Sequence, residues 1–161
     1  MPPEPDDSSV ASSTAAAESY TKVLQGRYEL GSVLGWGASS KVYRTRDVRS
    51  GVHVAVKAVR KPHHPCSPED PVAAHRSVER ELAALRHVQG HPHVGHLLDV
   101  LASHSTVYLV LDLARGGSVQ SALEDRVRSK EPAAYWLFGQ LVSTLAHVHP
   151  RGVFHRDVTL R

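Results

Sequence analysis

Hydrophobic and polar residues alternate along much of the first two thirds of the chain, which is the pattern of strands with one buried face. This alternation predicts five strands, over residues 28–36, 41–48, 52–60, 96–101 and 106–113. Apolar residues recur instead every three or four positions in two segments, which predicts helices over residues 78–88 and 132–149. The order of three strands, a helix, two strands and then helices indicates an α+β fold rather than a doubly wound sheet.

The third predicted strand separates its side chains cleanly between two faces. Val54 and Val56 point one way, whereas Ala55 and Lys57 point the other way, because successive strand side chains alternate. Lys57 is therefore expected on the face opposite to the valines.

Composition fits a globular protein with an unstructured start. The chain has 161 residues, of which 41% are hydrophobic and 22% charged. Residues 1–24 are rich in Pro, Ser, Ala and acid and have a net charge of −3, so we interpret them as a disordered tail. The remainder has a net charge of +6, which is compatible with phosphate ligands or acidic partners. With 6% aromatic residues, it gives no argument for nucleic acid.

Cysteine content and hydropathy bear on the compartment. Cys66 is the single cysteine, so no disulfide can form within the chain. No apolar run approaches the ~20 residues that a membrane span needs, and the acidic N-terminus does not resemble a secretory signal. We expect no membrane span and a location in the cytoplasm, or in cytoplasm and nucleus.

The turn between the first two strands contains Gly35 and Gly37. Small residues let a backbone approach phosphate oxygens closely, with N–H groups facing them. Two glycines near a turn are, however, also typical of a simple turn. Ser40 occupies the place where a third glycine would complete the phosphate-binding pattern.

Lys57 and an acid on the following helix form a second candidate constellation. A lysine on a strand often points only to water, and its place after the glycine turn favours a functional role. Glu79 and Glu81 are the candidate partners, and either could also belong to a solvated helix face. A lysine–glutamate pair would hold the ammonium group near the phosphates of a nucleotide.

The third candidate is Asp157, which ends the tripeptide His155-Arg156-Asp157 directly after the second predicted helix. An aspartate at such a place can orient a substrate hydroxyl and accept its proton.

Together these motifs resemble the eukaryotic protein kinases over residues 28–157. Residues 90–92 are similar to the turn that follows the family's first large helix, and 109–114 to its adenine-binding hinge, with Leu111 at the gatekeeper place. More narrowly, three segments resemble the plant calcineurin-B-like (CBL)-interacting kinases, namely residues 26–30, 37–43 and 151–157.

This resemblance implies a five-stranded antiparallel N-lobe (25–112) with one main helix, a hinge (112–117) and the first helices of a truncated helical C-lobe (118–161). It implies a Ser/Thr protein kinase with ATP and Mg²⁺ as ligands and, for the full-length family, a calcium-sensor protein as partner. The implied catalytic residues are Lys57, Glu81 and Asp157. The implied nucleotide-binding residues are Leu34, Gly35, Gly37, Val42, Ala55, Lys57, Leu111, Asp112 and Leu113.

The chain departs from the family pattern after Asp157. Thr159 stands where Ser/Thr-specific members have lysine, and residues 158–161 do not match the usual continuation. The family's metal-binding asparagine, its Asp-Phe-Gly segment and its sensor-binding region are not found in the 161 residues. We therefore expect negligible phosphoryl transfer by this polypeptide. The alternatives are a non-catalytic fragment that acts as a binding module and, less favoured, a small-molecule phosphotransferase.

Other features carry structural expectations. Histidines at 63, 64, 91, 93 and 96, with Cys66, lack structural-zinc spacing, so we expect no metal site. Trp136 and Phe138 are interpreted as packing residues, and residues 126–130 as a solvated basic face. The helix face formed by Leu137, Leu141, Leu145 and Val148 is expected to be exposed, which predicts poor solubility.

Overall fold

The structure is a computed structural model that describes residues 22–37, 40–61, 71–120 and 133–159. Several sequence-based expectations therefore lie outside the described residues. These are the tail up to residue 21, the turn residues 38–39, the histidines at 63 and 64 with Cys66, the basic segment 126–130 and the final residues 160–161.

The described part of the chain contains one antiparallel sheet of six strands. The strands are β1 (Lys22–Leu24), β2 (Tyr28–Trp36), β3 (Ser40–Asp47), β4 (His53–Arg60), β5 (Leu97–Ala102) and β6 (Thr106–Asp112). Their order across the sheet is β1-β2-β3-β4-β6-β5. The five predicted strands are all present, with ends that differ from the prediction by one residue at most.

Strand β1 is the sixth strand, and it corrects the prediction at the end of the tail. Residues 22–24 were assigned to a disordered tail, but they pair with the start of β2. Gln25 and Gly26 have φ of 47° and 64°, the positive pair that a tight type I′ hairpin turn needs, and Arg27 N–H donates to the Leu24 carbonyl at 3.0 Å. Leu24 is buried, so the strand also contributes apolar contact.

Two α-helices are described over their whole length, and residues 119–120 are also helical. Helix α1 (Pro71–His87) follows β4, and helix α2 (Ala133–Val148) leads into a 3₁₀-helix over His149–Arg151. Pro71 suits the first helical position, where its missing N–H has no helical partner to lose. Neither helix is long and apolar enough to cross a membrane.

The sheet has two faces that differ in content. The core face carries Val54, Val56, Tyr108 and Val110, which belong to one buried cluster with residues of β1, β2 and β5. The lysine face carries the alternate residues, including Lys57 and its pairing partner Leu109. The predicted division of β4 between valines and Lys57 is thus confirmed.

Helix α2 corrects the prediction about its exposed face. The face that was expected to be exposed is largely covered: Leu137, Leu141 and Leu145 are half-buried, and Val148 is buried. The exposed large side chains are instead Tyr135, Trp136, Phe138 and Val142, with exposed fractions of 83%, 66%, 64% and 47%. The interpretation of Trp136 and Phe138 as packing residues is therefore also wrong for the described residues.

Candidate functional site

Strand pairing brings most of the predicted nucleotide-binding residues onto the lysine face. Gly35 pairs with Val42, and Val42 pairs with Lys57 across β3 and β4. Ala55 pairs with Leu111 across β4 and β6. Directly paired residues of neighbouring strands share a face, so these five positions form one continuous surface.

Helix α1 supplies the acid that the lysine needs. Lys57 Nζ lies 2.5 Å from Glu81 Oε1, and the two side chains are 28% and 36% exposed. The pair decides between the two candidate acids, because Glu81 makes the contact and Glu79 lies on an exposed part of the helix. A half-buried ion pair of this kind fixes the position of the ammonium group. An unpaired lysine has a flexible stem, so its ammonium group would have no fixed position.

The glycine hairpin is closed tightly at Gly37. Its N–H donates to the Ser40 carbonyl at 2.8 Å. A Cβ atom built on Gly37 would lie 2.7 Å from Ser40 Oγ, so a side chain at 37 would force the hydroxyl to move. Ser40, at the third glycine place, therefore takes up space that Gly37 leaves free, and it keeps the described end of the hairpin compact.

The segment after β6 holds the predicted hinge. Leu111 and Leu113 are half-buried, in keeping with contact to a flat apolar ligand. Asp112 is engaged elsewhere: its Oδ2 lies 2.6 Å from His96 Nδ1, and its backbone N–H donates to the His96 carbonyl at 3.0 Å. Its side chain and N–H thus bind the loop before β5. Leu34 lies at an irregularity of β2 and is about half exposed.

Asp157 lies in the loop that follows the 3₁₀-helix over His149–Arg151. Gly152 ends that helix with φ of 72°, and its N–H donates to the His149 carbonyl at 2.9 Å. Arg156 also has positive φ, 62°, which is uncommon for a residue with a side chain and occurs often at functional sites. Asp157 itself is exposed, and its N–H donates to His155 Nδ1 at 3.3 Å.

The predicted catalytic residues are brought together only in part. Lys57 and Glu81 form their ion pair, but among the described residues no hydrogen bond or ion pair joins Asp157 to either of them. The His91 ring lies edge-on to His93 and tilted to His147, with ring centres 5.5 and 4.9 Å apart, whereas His96 binds Asp112. The described residues contain no group of three or more possible ligands that could hold a metal ion.

A cluster that the sequence did not indicate ties the start of β2 to β3 and β5. Arg27 Nη2 and Nε donate to the two Asp47 oxygens at 2.8 and 3.1 Å, and Arg27 Nη1 lies 3.4 Å from Asp99 Oδ2. The Tyr28 hydroxyl donates to the same Asp99 oxygen at 2.9 Å. These residues are separated by up to 72 positions, and no short-range pattern relates them.

The cluster shifts the pKa of two of its members in opposite directions. The hydrogen bonds from Arg27 hold the pKa of the Asp47 carboxyl well below its usual value, against the opposing effect of burial. Burial, followed by the hydrogen bond to Asp99, raises the pKa of Tyr28 to about 12. Asp47 is therefore charged and Tyr28 neutral at neutral pH.

The class of the protein follows from comparison with known families. The family model of the protein kinase domain matches residues 28–160, and the chain belongs to that family. The predicted α+β kinase fold is confirmed, with one strand more than expected.

Among individual proteins, the chain is similar to CBL-interacting protein kinases. It is 63% identical to CBL-interacting protein kinase 22 and 42% identical to CBL-interacting protein kinase 29, both of Oryza sativa subsp. japonica, over 98% of this chain. It is 38% identical to CBL-interacting serine/threonine-protein kinase 13 of Arabidopsis thaliana over 86% of this chain. The alignments span 37%, 37% and 26% of these relatives, so the chain covers about a third of their length. The predicted resemblance is confirmed.

Proposed function

We propose that this chain forms the nucleotide-binding part of a serine/threonine protein kinase that acts in calcium-linked signalling. The observation that carries the proposal is the Lys57–Glu81 ion pair on the lysine face, beside the glycine hairpin. Membership of the protein kinase family supports the activity, and the names of the similar proteins support the acceptor class and the calcium link.

The residues present fit a nucleotide. Lys57, held by Glu81, places one positive charge where nucleotide phosphates would lie, and the position of a Cβ on Gly35 has no other atom within 4 Å. Ala55, Val42 and Leu111 supply an apolar surface for the adenine ring. We assign no residue of the described part to Mg²⁺.

Each residue then has a defined task. Bound ATP supplies the phosphoryl group that is transferred. Lys57 binds and orients its phosphates, and Glu81 prevents the ammonium group from turning to water. Asp157 orients the hydroxyl of the protein substrate and accepts its proton. Movement of the loop that holds Asp157 toward Lys57 is part of this proposal.

Nucleotide binding by the 161-residue chain tests the proposal directly. Calorimetric titration with ATP and Mg²⁺ should give saturable binding, and Lys57→Met should weaken it by about tenfold or more, since a hydrogen bond to a charged group contributes about 1.5–3 kcal/mol. Lys61→Met is the matched control, because Lys61 lies just beyond the same strand and donates to the Ser103 carbonyl. Equal affinity in all three proteins would contradict the assignment.

A transfer assay separates catalysis from binding alone. The sequence predicts negligible transfer by this polypeptide, and a generic peptide substrate with labelled ATP measures it. Transfer that depends on Asp157 would show a competent enzyme and contradict that prediction. Binding without transfer favours the non-catalytic alternative for this polypeptide.

The partner and the location are proposed from the similarity to the relatives. The names of the similar proteins state that they interact with CBL. We propose a calcium-sensor protein as partner of the whole protein, with contacts outside residues 1–161, and the cytoplasm as its location.

A further inference from the structure

A cavity of about 350 Å³ opens on the core face, at the end of the sheet where the glycine hairpin lies. Its volume falls in the range of sites for small ligands. Leu30, Tyr43 and Ala58 lie at the edge of the buried cluster and form its apolar part. The described lining residues are Lys22, Leu30, Trp36, Gly37, Ser40, Lys41, Tyr43, Ala58, Arg60, Thr106 and Tyr108.

Three cations line this cavity, and the described lining contains no carboxylate. Strand pairing explains why they meet. Lys41 is opposite Ala58, Arg60 is opposite Thr106, and Lys22 is opposite Leu30. Like charges gathered around one concave surface repel each other and create a positive potential, which an anion would neutralise. Lys57, Arg46 and Arg27 differ, since each has an acid partner.

Two of the cations are held by aromatic side chains. Lys22 Nζ donates to the Tyr108 hydroxyl at 3.1 Å, and Lys41 Nζ lies 4.1 Å from the centre of the Trp36 ring. Burial would raise the pKa of Tyr108, but hydrogen bonds with the side chains of Lys22, Thr106 and Ser103 outweigh it, and the pKa lies below its usual value. These contacts hold the ammonium groups at the cavity without cancelling their charge.

The lining also offers hydroxyl donors and an open aromatic surface. Ser40, Thr106 and Tyr108 carry hydroxyl groups, and Trp36 is 71% exposed. A phosphoryl group is a dianion at neutral pH with three strong acceptor oxygens, so it matches several cations and hydroxyls better than a single carboxylate does. The apolar floor and Trp36 suit a flat apolar group attached to the phosphate.

From this arrangement we propose that the cavity binds a phosphate monoester carried on a small apolar or aromatic group. The cavity lies on the face opposite to Lys57, so the proposal does not depend on nucleotide binding at the lysine face. The phosphate monoester could belong to a free small molecule or to a phosphorylated side chain, and the two sources share the chemistry that the cavity recognises.

Phenyl phosphate is the probe for the first experiment, with the full 161-residue chain and calorimetric titration at low ionic strength. We expect saturable binding that Lys41→Gln and Arg60→Gln each weaken by about tenfold, as expected for loss of a charge-assisted hydrogen bond. Arg46→Gln is the matched control, because Arg46 lies on the same strand as Lys41 but on the other face, and it should change affinity less than twofold. Unchanged binding in all three variants would overturn the proposal.

Further arms separate this site from its alternatives. Phenol should not compete, and inorganic phosphate should bind at least tenfold more weakly than phenyl phosphate; the opposite result in either case contradicts the proposed ligand class. Lys57→Met should leave phenyl phosphate affinity within twofold, and a parallel loss would place the ligand on the lysine face and overturn the proposal. Tighter binding of N-acetyl-phosphotyrosine amide supports a phosphorylated side chain as the source, whereas equal or weaker binding supports a free ester.

A fluorescence measurement checks the place of binding. The chain has two tryptophans, Trp36 and Trp136, so Trp136→Phe leaves Trp36 as the only indole. In that protein phenyl phosphate should quench the Trp36 emission, and the midpoint of quenching should equal the midpoint of the calorimetric titration. Saturable binding without any change at Trp36 would show that the ligand lies elsewhere.

Discussion

The two faces of one sheet treat their cations differently. On the lysine face a single lysine is held by a glutamate of helix α1 at 2.5 Å. On the core face, at the hairpin end, Lys22, Lys41 and Arg60 line one cavity without a carboxylate among its described residues. A paired lysine is fixed in place, whereas cations without an acid are available to a ligand. Alternation along the same strands produces both environments, because neighbouring residues serve opposite faces.

The largest expected effect is on stability and comes from a buried side chain of the lysine face. Leu109 is fully buried on the lysine face beside Lys57, and we expect Leu109→Ala to lower the free energy of unfolding by about 2–5 kcal/mol. Urea unfolding measures the change. Leu98→Ala on the neighbouring strand is the control, because Leu98 is about half exposed and should lose much less. Equal losses would mean that the lysine face is not a packed layer.

The second effect concerns Arg27, which both Asp47 and Asp99 hold. Asp47→Asn removes a charge that accepts two hydrogen bonds from Arg27, so we expect a loss of about 1.5–3 kcal/mol in unfolding free energy at pH 7. Glu29→Gln is the control, since Glu29 only approaches Arg46 at 4.0 Å. A similar loss in both variants would contradict the special role of the Arg27 cluster.

The same cluster predicts an acid dependence of stability. The pKa of Asp47 is lowered in the folded protein, so its contribution is complete above the unfolded value of 3.8 and declines as pH falls below that value. Unfolding midpoints between pH 5 and pH 2.5 should therefore fall more steeply for the native chain than for Asp47→Asn. Parallel curves would contradict this sign.

A smaller effect tests the pairing on the lysine face. Glu81→Gln keeps the shape of the side chain but removes its charge, so Lys57 is less firmly held and nucleotide affinity should fall by about tenfold. Glu79→Gln makes the same chemical change two residues away on the same helix and should stay within twofold. Equal effects of the two variants in a calorimetric titration would remove the basis for choosing Glu81.

The smallest effect lies outside the sheet, where α2 meets the loop after α1. Desolvation, then His147, His93 and Arg151, lower the pKa of His91, whose Nε2 also contacts Ser143 Oγ. The neutral ring is therefore favoured in the folded state, and stability should be highest above the unfolded value of 6.5 and fall as pH drops through it. His91→Gln should reduce the change in the unfolding midpoint between pH 7.5 and pH 5.5. His87→Gln, at an exposed position, should leave that change as it is.

The sequence predicted the lysine face well because its signals are local. The alternation in β4 put Lys57 beside Ala55, and the helical spacing put a glutamate within reach. Spacing alone left Glu79 and Glu81 open, because two residues on a helix point in different directions and the packing of α1 decides which one meets β4. The family resemblance implied Glu81, and Glu81 is the residue that contacts Lys57.

Other features could not be predicted for identifiable reasons. Strand β1 has only three residues, and its sole signal is the glycine at position 26. Helix α2 is apolar on more than one side, so periodicity alone did not say which stripe is exposed. The core-face cavity joins Lys22 and Tyr108, which are 86 positions apart, and only strand pairing brings them together.

The irregular pairing of β2 has a consequence for tolerated changes in chain length. Between Leu30 and Gly35 the register with β3 shifts twice, so that Leu30 and Trp36 both end up on the core face. Each shift inserts one residue and reverses the alternation, and two reversals restore it. Deletion of a single residue between them would be absorbed by the loss of one shift, because five steps with one reversal still leave Trp36 opposite Lys41 on the core face. The two shifts thus allow this strand to lose one residue without moving the indole of Trp36 to the other ligand surface.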